Sequence, residues 1–316
     1  MTETNRTGPN RTGPNRTGPA EQLDAEGDEL APMVGQASVW GDAWRYLRTN
    51  PLFLLGLTVM VVMITMALFP ALFARGVDPT DCDLSLSRRP PSQEHWFGMD
   101  LQGCDYYANV VYGAQTSLAI GVLAVIGVLA IGVLIGSLAG YFGGWADSVL
   151  ARITDIFFGI PLFLGALILL TVSAQRSVWT VSMALVVFGW MTAMRLVRSS
   201  VVSIRGSDYV LAAQALGASS ARILLRHILP NALAPVLIYA TIAVGTFISA
   251  EAALTYLGIG LQAPEISWGL QINVAQSLIG SSPHLLFFPA LFLSVTVLGF
   301  ILLGDALRDA LDPKRR

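Results

Sequence analysis

Charge is what this sequence has least of. Only 13% of its 316 residues are Asp, Glu, Lys or Arg, and 54% are hydrophobic, whereas a soluble domain carries roughly a quarter charged residues. A chain this poor in charge cannot cover a water-facing surface of its own size, so it is expected to lie in lipid. The few charges nearly cancel, with 19 basic against 21 acidic side chains and a net charge of −2, which leaves no basic field for nucleic acid. The three histidines, His95, His227 and His284, are scattered, and the two cysteines do not form a C-x-x-C pair. No metal-ligand spacing results. Catalytic signatures are missing too. There is no G-x-x-x-x-G-K-[ST] phosphate loop, no H-E-x-x-H, and no G-x-S-x-G accompanied by an intramembrane histidine. The apolar segments also lack the chain of carboxylates that a proton-driven carrier needs. The chain is therefore expected to be no enzyme and to hold no cofactor of its own. Any transport it performs draws its energy from elsewhere.

Long apolar runs are what the sequence does have. A helix needs about 20 such residues to cross the hydrocarbon, and six segments qualify: 52–73, 117–141, 153–173, 178–197, 232–256 and 285–303. The expected fold is an all-α integral membrane protein with six transmembrane helices. Of the 19 basic residues, fifteen fall on the side shared with the N-terminus and four on the other: Arg75, Arg88, Arg89 and Arg176. By the positive-inside rule both termini are expected in the cytoplasm. The first apolar run starts only near Pro51 and is long enough to span, so it reads as an anchor, not a cleavable signal. Before it, the pentapeptide Asn-Arg-Thr-Gly-Pro repeats three times from Asn5 to Pro19. Residues 1–43 read as a disordered cytoplasmic tail. Residues 44–75 form the N-terminal segment and first span, 76–114 an extracytoplasmic loop, and 115–316 the remaining transmembrane domain.

Several positions within this frame stand out. Gly132, Gly136 and Gly140 repeat the G-x-x-x-G spacing that lets helices approach closely, which suits tight packing or, alternatively, a substrate groove. Asp155 follows Arg152 by three residues, the spacing of a local ion pair. Glu251 is an intramembrane carboxylate, costly and often functional. It lies near the outer end of its span, where water is expected to reach it, and reads as structural or as a pathway or gating group. The outer loop 76–114 holds both Cys82 and Cys104. Outside the membrane a disulfide is permitted and would contribute about 3 kcal/mol; two free thiols are the alternative. The second outer loop, 257–284, has no Lys or Arg, and its Gly258, Gly260, Pro264, Trp268 and Gly269 suggest a compact, turn-rich structure.

The cytoplasmic stretch "YVLAAQALGASSARILLRHILPNALAP" (209–235) is neither apolar enough to span nor polar enough to be slack. Asp208 can cap a short helix, Gly217 suits a left-handed C-terminal position, and Ser219 or Ser220 can cap a second helix over 221–229 that Pro230 ends. Arg222 and Arg226 lie one turn apart. The product is a projecting helix–turn–helix knuckle of small residues with a cationic side, shaped for a partner's cleft. An amphipathic helix lying on lipid is the alternative.

This stretch resembles the EAA loop of bacterial ABC importer permeases, here written "LAAQALG…ILP". Others resemble the C-type permeases of the peptide (oligopeptide/dipeptide/nickel) subfamily: "LRTNPLFLLGL" (47–57), "HWFGMDLQGCDYYANVVYGA" (95–114), "VVYGAQTSLAIG" (110–121), "GYFGGWADSVLARITDIFFGIP" (140–161), "EAALTYLGIGLQAPEISWG" (251–269) and "LLGDALRDALDP" (302–313). The resemblance covers nearly everything from about Trp44 onward. It implies the type I importer permease fold in the bacterial inner membrane. It also implies four kinds of partner: a homologous B-type permease, two ABC ATPases that bind ATP and Mg, an extracytoplasmic solute-binding protein, and the lipid bilayer. The loop at about 206–230 would then be the coupling helix, with Leu211, Ala212, Ala213, Gly217 and Pro230 as its motif positions. Two residues depart from the pattern. Leu211 stands where the family has Glu, and Gln214 where a basic residue is common, so docking is expected to rely on apolar burial and on Arg222 or Arg226. Cys104 replaces a usual Arg, which adds to the case for a Cys82–Cys104 bridge. Di- or oligopeptides are the implied cargo, with nickel chelates, glutathione or another small solute as alternatives. An ATP-independent channel or carrier is the rival reading.

Overall fold

A computed structural model of the chain describes residues 39–311. The N-terminal repeats and most of the expected tail lie outside the described residues. The chain divides between Asp42 and Ala43 into two units. The described residues are helical throughout apart from turns and two isolated bridges. In order they form α1 (Val39–Leu47), α2 (Pro51–Leu68), α3 (Pro70–Phe73), α4 (Tyr106–Phe142), α5 (Gly144–Phe158), α6 (Leu162–Val172), α7 (Val178–Val187), α8 (Trp190–Arg205), α9 (Asp208–Ala215), α10 (Ser220–Ile223), α11 (Leu229–Ala232), α12 (Ala234–Tyr256), α13 (Trp268–Ala275) and α14 (His284–Leu311).

Four of these, α2, α4, α12 and α14, are each long and apolar enough to cross a membrane. The expected third and fourth spans are not straight helices. The α5–α6 pair bends by 79° and the α7–α8 pair by 48°. Pro161, itself extended at φ −57° and ψ 130°, makes the first break: it lacks an N–H, and a proline disfavours helical geometry in the residue before it. The second break is at Gly189, which sits against the Phe247 ring of α12, where an added Cβ would come within 2.8 Å. The expected first span, 52–73, likewise stops at Leu68, because Pro70 forces Phe69 out of helical geometry before α3 begins. Its start is well defined. Asn50 accepts hydrogen bonds from Leu52 N at 2.9 Å and Phe53 N at 3.4 Å, with Pro51 in the first helical position.

The central column is α4, whose 37 residues rise about 55 Å. It begins at Tyr106, not near Ser117 as expected, so residues 106–114 of the first outer loop are already helical. Asp105 sets that start. Its Oδ1 accepts from Ala108 N at 2.9 Å, while Oδ2 holds His95 Nδ1 at 2.9 Å. Lower down, the glycine spacing meets α8. A Cβ on Gly132 would lie 2.6 Å from Ala193 Cβ, one on Gly136 2.6 Å from Met194 O, and one on Gly140 2.9 Å from Arg198 O. That face of α4 is filled by the backbone of α8, so it is a packing seam and not a substrate groove.

Charged side chains fasten one end of this seam. Arg198 of α8 holds Asp147 of α5 with two bonds of 2.5 and 2.6 Å. Arg205 donates to the Gly140 and Tyr141 carbonyls at 3.2 and 3.0 Å, satisfying carbonyls that the end of α4 leaves open. Asp155 pairs with Arg195 of α8 at 2.8 Å, in place of the local pairing expected with Arg152. Both partners are about half exposed, so this pair adds little stability.

The seam makes a measurable prediction. Gly136→Leu pushes a side chain into the Met194 carbonyl and is expected to cost about 2–3 kcal/mol, lowering the thermal midpoint of the purified protein in detergent. Gly280→Ala, where an added Cβ meets nothing within 4 Å, leaves that midpoint unchanged.

Candidate functional site

The stretch that follows α8 folds as a compact knuckle. Ser207, not Asp208, occupies the capping position, with extended backbone (φ −74°, ψ 149°), and Asp208 is the first residue of α9. The helix closes at Gly217, whose φ of +79° is left-handed. Gly217 N donates to Gln214 O at 2.9 Å and Ala218 N to Ala213 O at 3.1 Å, the paired bonds of a Schellman close. Ser219 then precedes α10.

Pro230 does not end the second helix as expected. Leu224–Ile228 forms a π turn, and Leu229 N donates to Leu224 O, five residues back. The wider turn accommodates a proline ring that an α-turn would press against the carbonyl four residues earlier. Helical backbone then continues through α11 into α12.

The knuckle has an inner and an outer face. Val210, Ile223, Ile228 and Ala232 are buried against Val197 and Val201 of α8 and Val236 of α12. This apolar keel ties the knuckle to two long helices at once. On the other side, Leu211, Ala212, Gly217, Arg222, Arg226 and Pro230 are exposed, and Ala213 is half-buried. The structure thus gathers the residues singled out from the sequence onto one projection. It adds three that sequence reasoning missed: Tyr209, Leu216 and Leu225. Leu216 is 88% exposed, an unusual position for a large apolar side chain. The available signal was its place just before the left-handed glycine, where a side chain leaves the helix's buried face.

Glu251 lies 17 residues along α12 from Ala234, roughly 25 Å away by helical rise. Water does not reach it as expected: its exposure is 0%. Its burial is possible because three hydroxyls surround it. Oε1 accepts from Thr255 at 2.9 Å and Ser267 at 3.3 Å, and Oε2 from Ser117 of α4 at 3.5 Å. Each hydroxyl oxygen in turn accepts a backbone N–H from the loop after α12 or from α13. Leu261 N reaches Thr255 at 3.1 Å, Leu270 N reaches Ser267 at 3.2 Å, and Trp268 N reaches Ser117 at 3.2 Å. One carboxylate therefore organises the re-entry of the loop that follows α12. Trp268 is wholly buried there, with Nε1 donating to Val110 O at 2.9 Å.

At the same end, Cys82 and Cys104 are joined in a disulfide. Asp100 turns the loop beneath it, its Oδ1 accepting from Gln102 N at 2.8 Å and Cys104 N at 2.9 Å. Burial pushes the Asp100 carboxyl above its ordinary range, against the pull of those N–H groups. Among the described residues no group of three or more His, Cys, Asp or Glu side chains could hold a metal ion.

Residues 132–316, more than half of the chain and including the knuckle and Glu251, match the family described as binding-protein-dependent transport system inner membrane component. The chain belongs to that family. Residues 38–91 of this inner membrane component also match the N-terminal transmembrane domain of oligopeptide transport permease C. It is 42% identical over 279 residues to the oligopeptide transport system permease protein OppC of Bacillus subtilis, covering 88% of this chain and 91% of that one. It is 39% identical to the dipeptide permease protein DppC of Alkalihalophilus pseudofirmus, over 88% of this chain and 91% of the relative. The same identity links it to the glutathione permease protein GsiD of Escherichia coli, over 87% and 90%. Like its family, it is a multi-pass membrane protein.

The carboxylate node can be tested in this inner membrane component. Glu251→Leu strands the Ser117, Thr255 and Ser267 hydroxyls in the core and is expected to cost at least about 3 kcal/mol. Glu251→Gln keeps an acceptor and costs less. Thermal unfolding of the two variants in one detergent should reproduce that order.

Proposed function

We propose that the chain is the transmembrane permease subunit of an ATP-driven importer for di- or oligopeptides. It forms the translocation path with a homologous B-type permease and is driven by two ABC ATPases, which bind the ATP and Mg. An extracytoplasmic binding protein delivers the cargo. The chain itself has no catalytic site and binds no cofactor. On this reading α5–α6 and α7–α8 each make one crossing, giving six spans with both termini in the cytoplasm. The fold is that of the type I importer permeases. The observation that carries the reading is the likeness to oligopeptide and dipeptide permeases along nearly nine-tenths of the chain.

The knuckle supports the coupling part of the proposal. Leu211, Ala212, Ala213, Gly217, Arg222, Arg226 and Pro230 are assigned to ATPase docking. Leu211 leaves no carboxylate for the contact, so the exposed Leu211, Leu216 and Leu225 supply apolar burial, and Arg222 and Arg226 supply charge. A push on this surface has two routes into the membrane. One is continuous helical backbone through α11 to α12, and the other is the buried keel against α8. Glutathione is the second substrate reading, favoured by the 39% identity to a glutathione permease.

Reconstitution with the partner permease, both ATPases and the binding protein tests this function. Peptide-stimulated ATP hydrolysis and peptide uptake are expected from the complex, and no uptake from the isolated chain. Leu216→Asp changes a side chain that supports nothing in the fold, yet should weaken ATPase association by about 2 kcal/mol, roughly 30-fold. Gly217→Val, at φ +79°, should uncouple hydrolysis from transport. Unchanged association and coupling in both variants would remove the knuckle from the mechanism.

A further inference from the structure

A cavity of about 440 Å³ opens between the disulfide loop and the segment that follows α12. Its walls are largely apolar, including Pro79, Leu101, Pro264, Ile266 and Leu270. Two carboxylates line it from separate segments: Asp100 from the disulfide loop and Glu265 from the loop before α13. Both are half-buried. Among the described residues neither forms an ion pair. None of the lining residues is Lys, Arg or His, and the loop 257–284 contains no Lys or Arg at all. Among the described residues no ion pair reaches Glu265.

The floor of the cavity is made by Tyr106, Asn109, Ser267 and Leu285, all buried. Behind that floor lie the wholly buried Trp268 and the Glu251 hydroxyl node. These buried groups back the cavity on one side. Its volume lies in the range of small-ligand clefts and has room for a long side chain with part of its loop. Apolar walls with acidic groups match the aliphatic stem and charged head of Lys or Arg.

We infer that this cavity is the docking socket for a lysine- or arginine-bearing loop of the extracytoplasmic binding protein. The inference rests on the orientation proposed above, which puts the Cys82–Cys104 end outside the membrane. The disulfide itself belongs in an oxidising compartment. The complementarity is electrostatic: two carboxylates in a partly desolvated site whose lining holds no cation attract a partner's cation and reject an anion. The disulfide fixes one wall, because Cys104 follows Asp100 closely and its N–H holds the Asp100 carboxylate. The Glu251 node fixes the other through Ser267.

The test uses the complete importer in nanodiscs and the peptide-loaded binding protein that co-purifies with it. Glu265→Gln is expected to weaken binding-protein affinity about ten-fold and flatten its salt dependence, with basal ATP hydrolysis unchanged. Glu265→Lys should weaken it further. Asp100→Asn should act in the same direction; because Asp100 also turns its loop, the Glu265 pair decides the matter. Unchanged affinity in both Glu265 variants overturns the inference. So does a raised peptide KM at unchanged binding-protein affinity, which would assign the cavity to the solute. Orientation is read separately. With Cys82 and Cys104 bonded, Glu265→Cys introduces a single reactive thiol. Labelling of intact cells by an impermeant maleimide keeps the orientation, and unchanged affinities then sink the docking inference alone. Labelling only after permeabilisation reverses the orientation, and the inference falls with it.

Discussion

The close approach of α4 and α8 along Gly132, Gly136 and Gly140 is the constraint from which the rest of the molecule follows. In lipid there is no water for apolar side chains to escape, so helices associate through close packing and buried hydrogen bonds. Absent side chains let the α8 backbone lie against α4 at positions where a single Cβ would collide. Arg198–Asp147 and Arg205 on the α4 carbonyls then fix the register at one end. Because α8 leads directly into the knuckle, this seam also determines where the knuckle projects.

The two ends of the molecule solve different problems with different chemistry. At the knuckle, a thin apolar keel is shared between α8 and α12, and large apolar residues remain outside. Such a surface is costly to leave in water, which gives it reason to be covered by a partner. At the opposite end, a carboxylate is kept in the core by three hydroxyls, each bonded to the backbone of the returning loop. A buried polar group of this kind stabilises only one arrangement, because any slip leaves acceptors and donors unpaired. The knuckle thus leaves large apolar side chains exposed, whereas the opposite end is held in one shape from within.

Much of this was legible in the chain because the signals are local. Runs of apolar residues placed the long helices, and the left-handed glycine at 217 followed from its position between two helical patterns. Other readings went astray where non-local or backbone effects prevailed, and three show how. Asp105 starts α4 by capping, a polar event ahead of the apolar run by which spans are recognised. Pro230 was expected to stop a helix, but one extra residue in the turn before it gave the ring room. Asp155 took Arg195 from another helix over its neighbour in sequence, since i,i+3 spacing offers proximity without deciding between rivals.

Composition and spacing were sufficient for the class of molecule, its approximate spans, the glycine face of α4 and the knuckle, because each depends on residues near one another along the chain. Which helix fills that glycine face, that Glu251 is dry, and that Asp100 and Glu265 share one cavity were decided only by folding. Each of those facts joins groups separated by tens to more than a hundred residues. Whether a carboxylate meets water, a hydroxyl or another carboxylate depends on what the rest of the chain brings to it in space.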